Sequence, residues 1–218
     1  VLYRIFKVSA DFEVIVCSDG STDKTAARAR EKGALVVTHP YTLGNGAAVK
    51  SGALKASRPY IVFLDADLQH PPEEIPRLLS HLPDYDMVVG ARTPACKTSL
   101  HRAVGNFVLT WVARSIARHR IEDLTSGFRA VKKDVFLKFA HLYPLGYSYP
   151  ATSTLAFLCS GYFVKYVPLS SITARTSGAS AIKPLQDGFS FLHIIIRIIM
   201  TFSPHKLFYP ISLLFFVL

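Results

Sequence analysis

Cysteine is scarce and unpaired in this chain. Cys17, Cys96 and Cys159 are odd in number and share no spacing, which argues against a disulfide framework or a zinc site and for a reducing compartment. Acidic residues are also few, 15 against 25 Lys and Arg, and the net charge of +10 points to anionic partners: phosphates, nucleic acid or an acidic membrane surface. Yet no Arg-rich block gathers these cations, so charge alone supports no nucleic-acid partner. The sequence shows no internal repeat, no low-complexity tract, and no Ser-His-Asp or Cys-His arrangement of nucleophile and base. It opens on Val1 without a signal peptide and reads as a piece of a longer protein. Its 218 residues suffice for one domain with a real core.

Apolar residues are plentiful. They make up 50% of the chain, mean hydropathy is +0.28, and the excess sits mainly in the last third. The chain begins with helix-like apolar spacing through Ala10 and then alternates strand and helix. Strands are expected at Phe12 to Cys17, Ala34 to Thr38, Tyr60 to Leu64 and Asp86 to Arg92; small-residue helices at Lys24 to Lys32 and Ala47 to Ser57 separate the first three. That alternation is the signature of an α/β fold, a mostly parallel sheet with crossover helices. Residues 93–103 read as a mobile loop and Gly105 to Arg118 as a helix. A compact polar loop at Asp123 to Arg129 is followed by a helix at Lys132 to Phe139 and, over 154–168, by a helix and a strand from Phe163 to Val167.

After Leu185 the character changes. Gln186, Ser190, His193, Arg197 and Thr201 form a narrow polar stripe on an apolar helix, which suits a helix lying in a membrane interface. Leu207 to Leu218 is almost wholly apolar but only twelve residues long, against about 20 needed to span a bilayer. It reads as the start of a transmembrane helix, the other reading being a buried core helix. The expected organisation is therefore a catalytic domain over 1–184, an interfacial helix over 185–206 and the beginning of a membrane segment over 207–218.

The chemistry gathers at strand ends. The strand from Tyr60 runs into Asp65-Ala-Asp67, and two carboxylates there call for a counter-charge, commonly a hard divalent cation. A turn with a helix cap would use the same residues, but Gln69 and His70 add further donors to the loop. Asp19 ends the first strand in a Gly-containing turn, placed either to hold a base or ribose or simply to cap the next helix. Gly44-Asn45-Gly46 permits close backbone approach before a small-residue helix. Arg92 ends another strand on a cation, and Arg102 and Arg175 are further candidates for phosphate contact.

The order of these pieces is more specific than any one of them. Val16-Cys-Ser-Asp-Gly-Ser-Thr-Asp23, Asn45-Gly-Ala-Ala-Val-Lys-Ser-Gly52, Phe63-Leu-Asp-Ala-Asp-Leu-Gln-His-Pro-Pro-Glu73 and Asp123-Leu-Thr-Ser-Gly-Phe-Arg129 together resemble the family 2 glycosyltransferases of GT-A fold, and within them the dolichol- or polyprenyl-phosphate sugar synthases. The resemblance covers nearly the whole chain. It implies a Rossmann-like sheet and inverting sugar transfer from a nucleotide sugar of GDP-mannose or UDP-glucose type to a polyprenyl or dolichyl phosphate. It further implies Mg2+ or Mn2+ at Asp65, Asp67 and Gln69, with the domain on the cytoplasmic side of a membrane. Arg92 and Arg102 match the acceptor-phosphate positions, and Arg175-Thr-Ser-Gly-Ala-Ser180 resembles the late Arg-x-x-Gly-x-Ser segment near the substrate phosphates. By the same resemblance Asp67, Arg92 and Arg175 are the expected catalytic residues, and Asp19, Asp65, Gln69, Ser126, Arg129 and Ser180 contact substrate. Two departures stand out: the family's first strand is absent, and its paired acids before Gly20 are here Ser18-Asp19. Rival readings are a different acceptor, soluble or polysaccharide, a nucleotidyltransferase, or a membrane-anchored nucleotide-binding module. No Gln-x-x-Arg-Trp segment of a processive synthase is present.

Overall fold

A computed structural model of the chain describes residues 1–92, 100–146, 149–169, 193, 196–206, 208–209, 212 and 216. The described elements run α1 (Leu2–Val8), β1 (Ile15–Asp19), α2 (Thr25–Glu31), β2 (Leu35–His39), α3 (Asn45–Lys55) and β3 (Tyr60–Phe63). A short 3-10 turn (Pro72–Glu74) then leads to α4 (Ile75–Leu79), β4 (Met87–Ala91), α5 (Leu100–Ala117), β5 (Arg129–Lys132), α6 (Lys133–Lys138), α7 (Tyr149–Cys159) and β6 (Val164–Pro168). The expected strand–helix alternation is present. The α/β, Rossmann-like class holds, and within the larger sheet β5 alone among the described strands runs against the others.

β1 and β2 form a parallel pair, and the remaining strands form a second sheet in the order β3-β5-β4-β6. In it β4 and β6 run parallel, while β5 lies antiparallel between β3 and β4. Arg129 of β5 stands opposite both Phe63 and Val89. The sequence reading takes Asp123 to Arg129 as a loop and misses this strand. The reason is physical: β5 is only four residues long and begins with an arginine, so it offers no apolar alternation to read. The strand at Tyr60 is also less enclosed than its composition suggests. Tyr60 is exposed and burial becomes complete only at Phe63, because β3 pairs on one side alone among the described residues.

The two faces of the larger sheet build two cores by the two-residue period of a strand. Phe63, Met87, Val89 and Val131 point toward α3, α6 and α7, joining Ala53, Phe136, Tyr149 and Phe157. Val88, Ala130 and Val167 point the other way, onto Ile75, Leu78 and Leu82, with Ile5 of α1 at the margin. A third cluster joins α5 to α7 and to Ile198. Leu100 to Gly105 is helical, so α5 begins earlier than expected and takes His101 and Arg102 with it.

Gly44 and Gly46 are needed for chain–chain contact. A Cβ at Gly46 would sit 1.9 Å from the Pro144 carbonyl oxygen, and one at Gly44 would sit 2.5 Å from that of Leu145. The Leu145 carbonyl in turn accepts the Ala47 N–H at 3.1 Å. The start of α3 is thus closed by the 144–146 segment.

Of the expected interfacial helix only part is described. Residues 196–202 are helical; Ile198 is buried, Phe202 packs beside it, and Arg197 donates to the Leu142 carbonyl at 3.2 Å. Ile196 and Met200 are exposed. Among the described residues no helix is long and apolar enough to cross a membrane.

Candidate active site

The carboxylate loop starts where β3 stops. Asp65 is half-buried against Gly127, where a Cβ would lie 2.7 Å from Asp65 Oδ2; the bare backbone makes room for the carboxylate. Asp67 folds back to accept the Gln69 N–H through Oδ1 at 3.1 Å. Leu68 between them has φ 63°, a left-handed conformation costing roughly 1–2 kcal/mol in a residue with a Cβ. That strain turns the loop so that Asp67 and Gln69 come together. Behind them His70 is only 6% exposed, its ring stacked on Phe128 at 5.4 Å. His70 Nδ1 is buried with no hydrogen-bond partner. Burial pushes the imidazole pKa down, while Asp65 and Asp67 push it up.

The second half of the site is cationic. β4 is buried along its whole length and delivers Arg92 at its end. Arg92 donates to Asp123 through its backbone N–H (3.1 Å), Nε (2.7 Å) and Nη2 (2.8 Å), and Nη2 also reaches Thr125 Oγ1. Asp123, only 8% exposed, accepts the Thr125 and Ser126 N–H groups as well. Burial alone would raise its pKa, but the Arg92 bonds and charge hold it below the usual carboxylate range. This fork fixes the plane and reach of the guanidinium.

The sequence profile of Glycosyl transferase family 2 matches residues 2–139. The chain belongs to that family. Over 202 residues the glycosyltransferase is 29% identical to a dolichyl-phosphate hexose transferase of Haloferax volcanii, covering 91% of this chain and 86% of that one. It is 28% identical over 141 residues to an undecaprenyl-phosphate 4-deoxy-4-formamido-L-arabinose transferase of Pectobacterium carotovorum, covering 62% of this chain but 43% of that protein. Its fold is shared with glucosyl-3-phosphoglycerate synthase from Mycobacterium tuberculosis, crystallised with Mn2+, uridine diphosphate and phosphoglyceric acid. The TM-score there is 0.71 at 19% identity, over 93% of this chain and 74% of the other. The GT-A architecture expected from the sequence is therefore present.

Several expected site residues of the glycosyltransferase are engaged by the chain itself. Arg129 is fully buried, and its donors go to the Ser126 and Pro150 carbonyls and to the Ser153 and Thr154 hydroxyls, with the Tyr149 ring 5.8 Å away. It ties α7 to the sheet. Ser126 is likewise buried and donates to the Gly90 carbonyl at 2.7 Å. Asp19 is held by the chain itself: Oδ1 accepts from Leu43 N–H and contacts His39 Nδ1 at 2.7 Å, and Oδ2 accepts from Gly44 N–H. His39 Nε2 lies 2.8 Å from Ser51 Oγ, so a Ser-His-Asp series exists after all. Strand register explains how it was missed, since Asp19 and His39 are partners only once β1 and β2 pair. With Asp19 also clamping Leu43 and Gly44, the series fastens the 39–44 loop to α3. Arg102 is helical within α5, and its side chain lies outside the described residues, as do Arg175 and Ser180. Asp123, for which the sequence suggests no role, gains one from its burial beneath Arg92.

Proposed function

We propose that this glycosyltransferase moves a hexose from a nucleotide sugar to a polyprenyl phosphate at a membrane surface, with inversion. The observation that carries the reading is the meeting of the Asp65–Gln69 loop and the Arg92–Asp123 fork across Gly127, which puts anionic and cationic halves at one end of β3, β5 and β4. The acceptor class follows that of the Haloferax and Pectobacterium transferases.

Asp65, Asp67 and the Gln69 side-chain oxygen suit Mg2+ or Mn2+: they are hard oxygen donors gathered in one loop, with an unpartnered buried nitrogen on His70 beside them. When bound, the cation would neutralise the negative charge that builds on the departing nucleoside diphosphate. The chain's own groups do the rest. Arg92, held rigid by Asp123, orients the acceptor phosphate and screens its charge against the donor's. That phosphate is anionic near neutral pH, so no side chain needs to take a proton from it. By the family resemblance Arg102 and Arg175 would supply further charge to a substrate phosphate, and Ser180 a hydroxyl. Asp19 bears on the donor indirectly, through the loop it fixes.

The test is direct. The full-length protein is incubated with membranes, a panel of radiolabelled sugar nucleotides and Mn2+, then extracted with organic solvent. Label in the organic phase supports the proposal. Label that stays in a phosphorylated water-soluble product refutes the lipid acceptor, and release of a nucleotidyl group refutes sugar transfer.

A further inference from the structure

Helix α5 carries apolar residues on two faces, and only one of them has a protein partner. Leu109, Ala113, Ile116 and Ala117 pack into the cluster shared with α7 and Ile198. On the other side Phe107 is 71% and Trp111 65% exposed, with Val108 also exposed. Phe107, Trp111 and Ser115 follow at helical spacing of four, and the exposed Arg118 stands just past the end of α5 with φ 53°, so the aromatic stripe runs toward a cation. Contiguous exposed aromatics of this size mark an interaction surface.

Two further observations say what covers it. The stripe continues into the C-terminal segment: Lys206 Nζ donates to the Ser115 carbonyl and to Ser115 Oγ (3.1 Å). Beside Lys206, Phe208 and Tyr209 are exposed, and the His205 and Tyr209 rings lie 5.9 Å apart. The charge is also one-sided. From Arg92 to Ile121 the sequence holds no acidic residue, and from Gly188 to Leu218 it holds none. Arg114, Arg118, His119, Arg120 and Lys206 thus crowd where these two segments meet, with Glu122 beside Arg120 at 3.6 Å. Aromatic rings flanked by Lys and Arg match the boundary between headgroups and acyl chains of an anionic bilayer.

We propose that the Phe107–Trp111 face of α5, together with His205, Lys206, Phe208 and Tyr209, is a docking surface for an anionic lipid bilayer. The inference rests on the lipid-acceptor reading above and adds to it a second membrane contact, inside the catalytic domain. It would press α5, which follows directly on the connection from Arg92, against the surface that supplies the acceptor.

Trp111 is the chain's single tryptophan, so its emission reports on this face alone. The 218-residue chain is titrated with vesicles of phosphatidylglycerol and phosphatidylcholine, with phosphatidylcholine alone, and with brominated lipids as quenchers. The expected result is a blue shift and bromine quenching on anionic vesicles, weakened by salt. Vesicle partitioning falls about fivefold in Arg118→Gln and about tenfold in Phe107→Ser. Both positions are exposed, so neither variant threatens folding. If the protein sediments with vesicles while Trp111 emission stays unchanged, the bilayer is met elsewhere and the proposal fails. Emission already blue before lipid is added also overturns it, in favour of a second copy or another segment of protein. Sugar transfer to a polyprenyl phosphate in micelles is measured in parallel. Transfer that persists with a silent Trp111 removes this surface and leaves the enzymatic reading standing.

Discussion

Replacing Asp123 by Asn tests the cationic half of the site without touching Arg92 itself. In the wild-type chain Oδ2 accepts two N–H groups of Arg92, the backbone and Nε, while Oδ1 accepts Nη2 and the Thr125 and Ser126 amides. An Asn can keep one oxygen in the position of Oδ1, but its NH2 would then face two donors and leave both unmet. Hydrogen bonds to a charged group contribute about 1.5–3 kcal/mol each, and water reaching the partly exposed guanidinium recovers part of the loss, so a destabilisation of about 3 kcal/mol is expected. With the fork loosened, kcat/KM for the acceptor should fall about tenfold to a hundredfold while donor affinity stays near wild type. Urea denaturation and steady-state kinetics, with each substrate varied in turn, read both effects. Stability within about 0.5 kcal/mol of wild type, together with an unchanged acceptor KM, would refute the reasoning. The same bonds set a pH dependence. Because folding lowers the Asp123 pKa, its contribution is fully present above the unfolded value of about 3.9 and is lost as pH falls through the lower folded value. Asp123→Asn should therefore flatten acid unfolding in that window.

Three other substitutions separate catalytic from structural roles. Asp67→Ala should nearly abolish transfer, and EDTA should mimic it in the wild type; full activity in excess chelator sinks the proposed cation site. Gly46→Ala, which drives a Cβ into the Pro144 carbonyl, should cost at least about 2 kcal/mol, and a normal thermal midpoint would show that the 144–146 segment yields easily. Arg129→Met strips the Ser126 carbonyl of its guanidinium donors, while the Pro150 carbonyl keeps the Ser153 and Thr154 hydroxyls, and should destabilise by about 2–4 kcal/mol with substrate KM values unchanged in the folded protein; a KM change without loss of stability would return Arg129 to the substrate site.

What the sequence discloses here is mostly what composition and order can encode. The strands at Val16, Val36, Ile61 and Val88 announce themselves by β-branched content, and Asp65 and Asp67 stand out because an apolar run ends on them. The β5 strand is silent, since a four-residue segment opening on a buried arginine looks like a polar loop until its neighbours are in place. The framework bonds of Arg129 and Ser126 are hidden for the same reason: polar residues in a site motif read as substrate contacts, and their burial shows only once the strand is in place. Asp19, His39 and Ser51 come from three different elements, so no local spacing could unite them. Gly44 and Gly46 signal close backbone approach correctly, but the partner is a segment about a hundred residues away.

The reversed direction of β5 has a consequence for how the site is lost. Because that strand enters between β3 and β4 at their far ends, the peptide leading into it, Asp123 to Phe128, is laced to both: Gly127 lies on Asp65, and Ser126 hangs on Gly90. Withdrawing this one strand would unseat the carboxylate loop and the arginine fork in the same event. Activity should then behave as a cooperative unit, vanishing wherever exchange of the β5 amides accelerates and returning only when they are again protected.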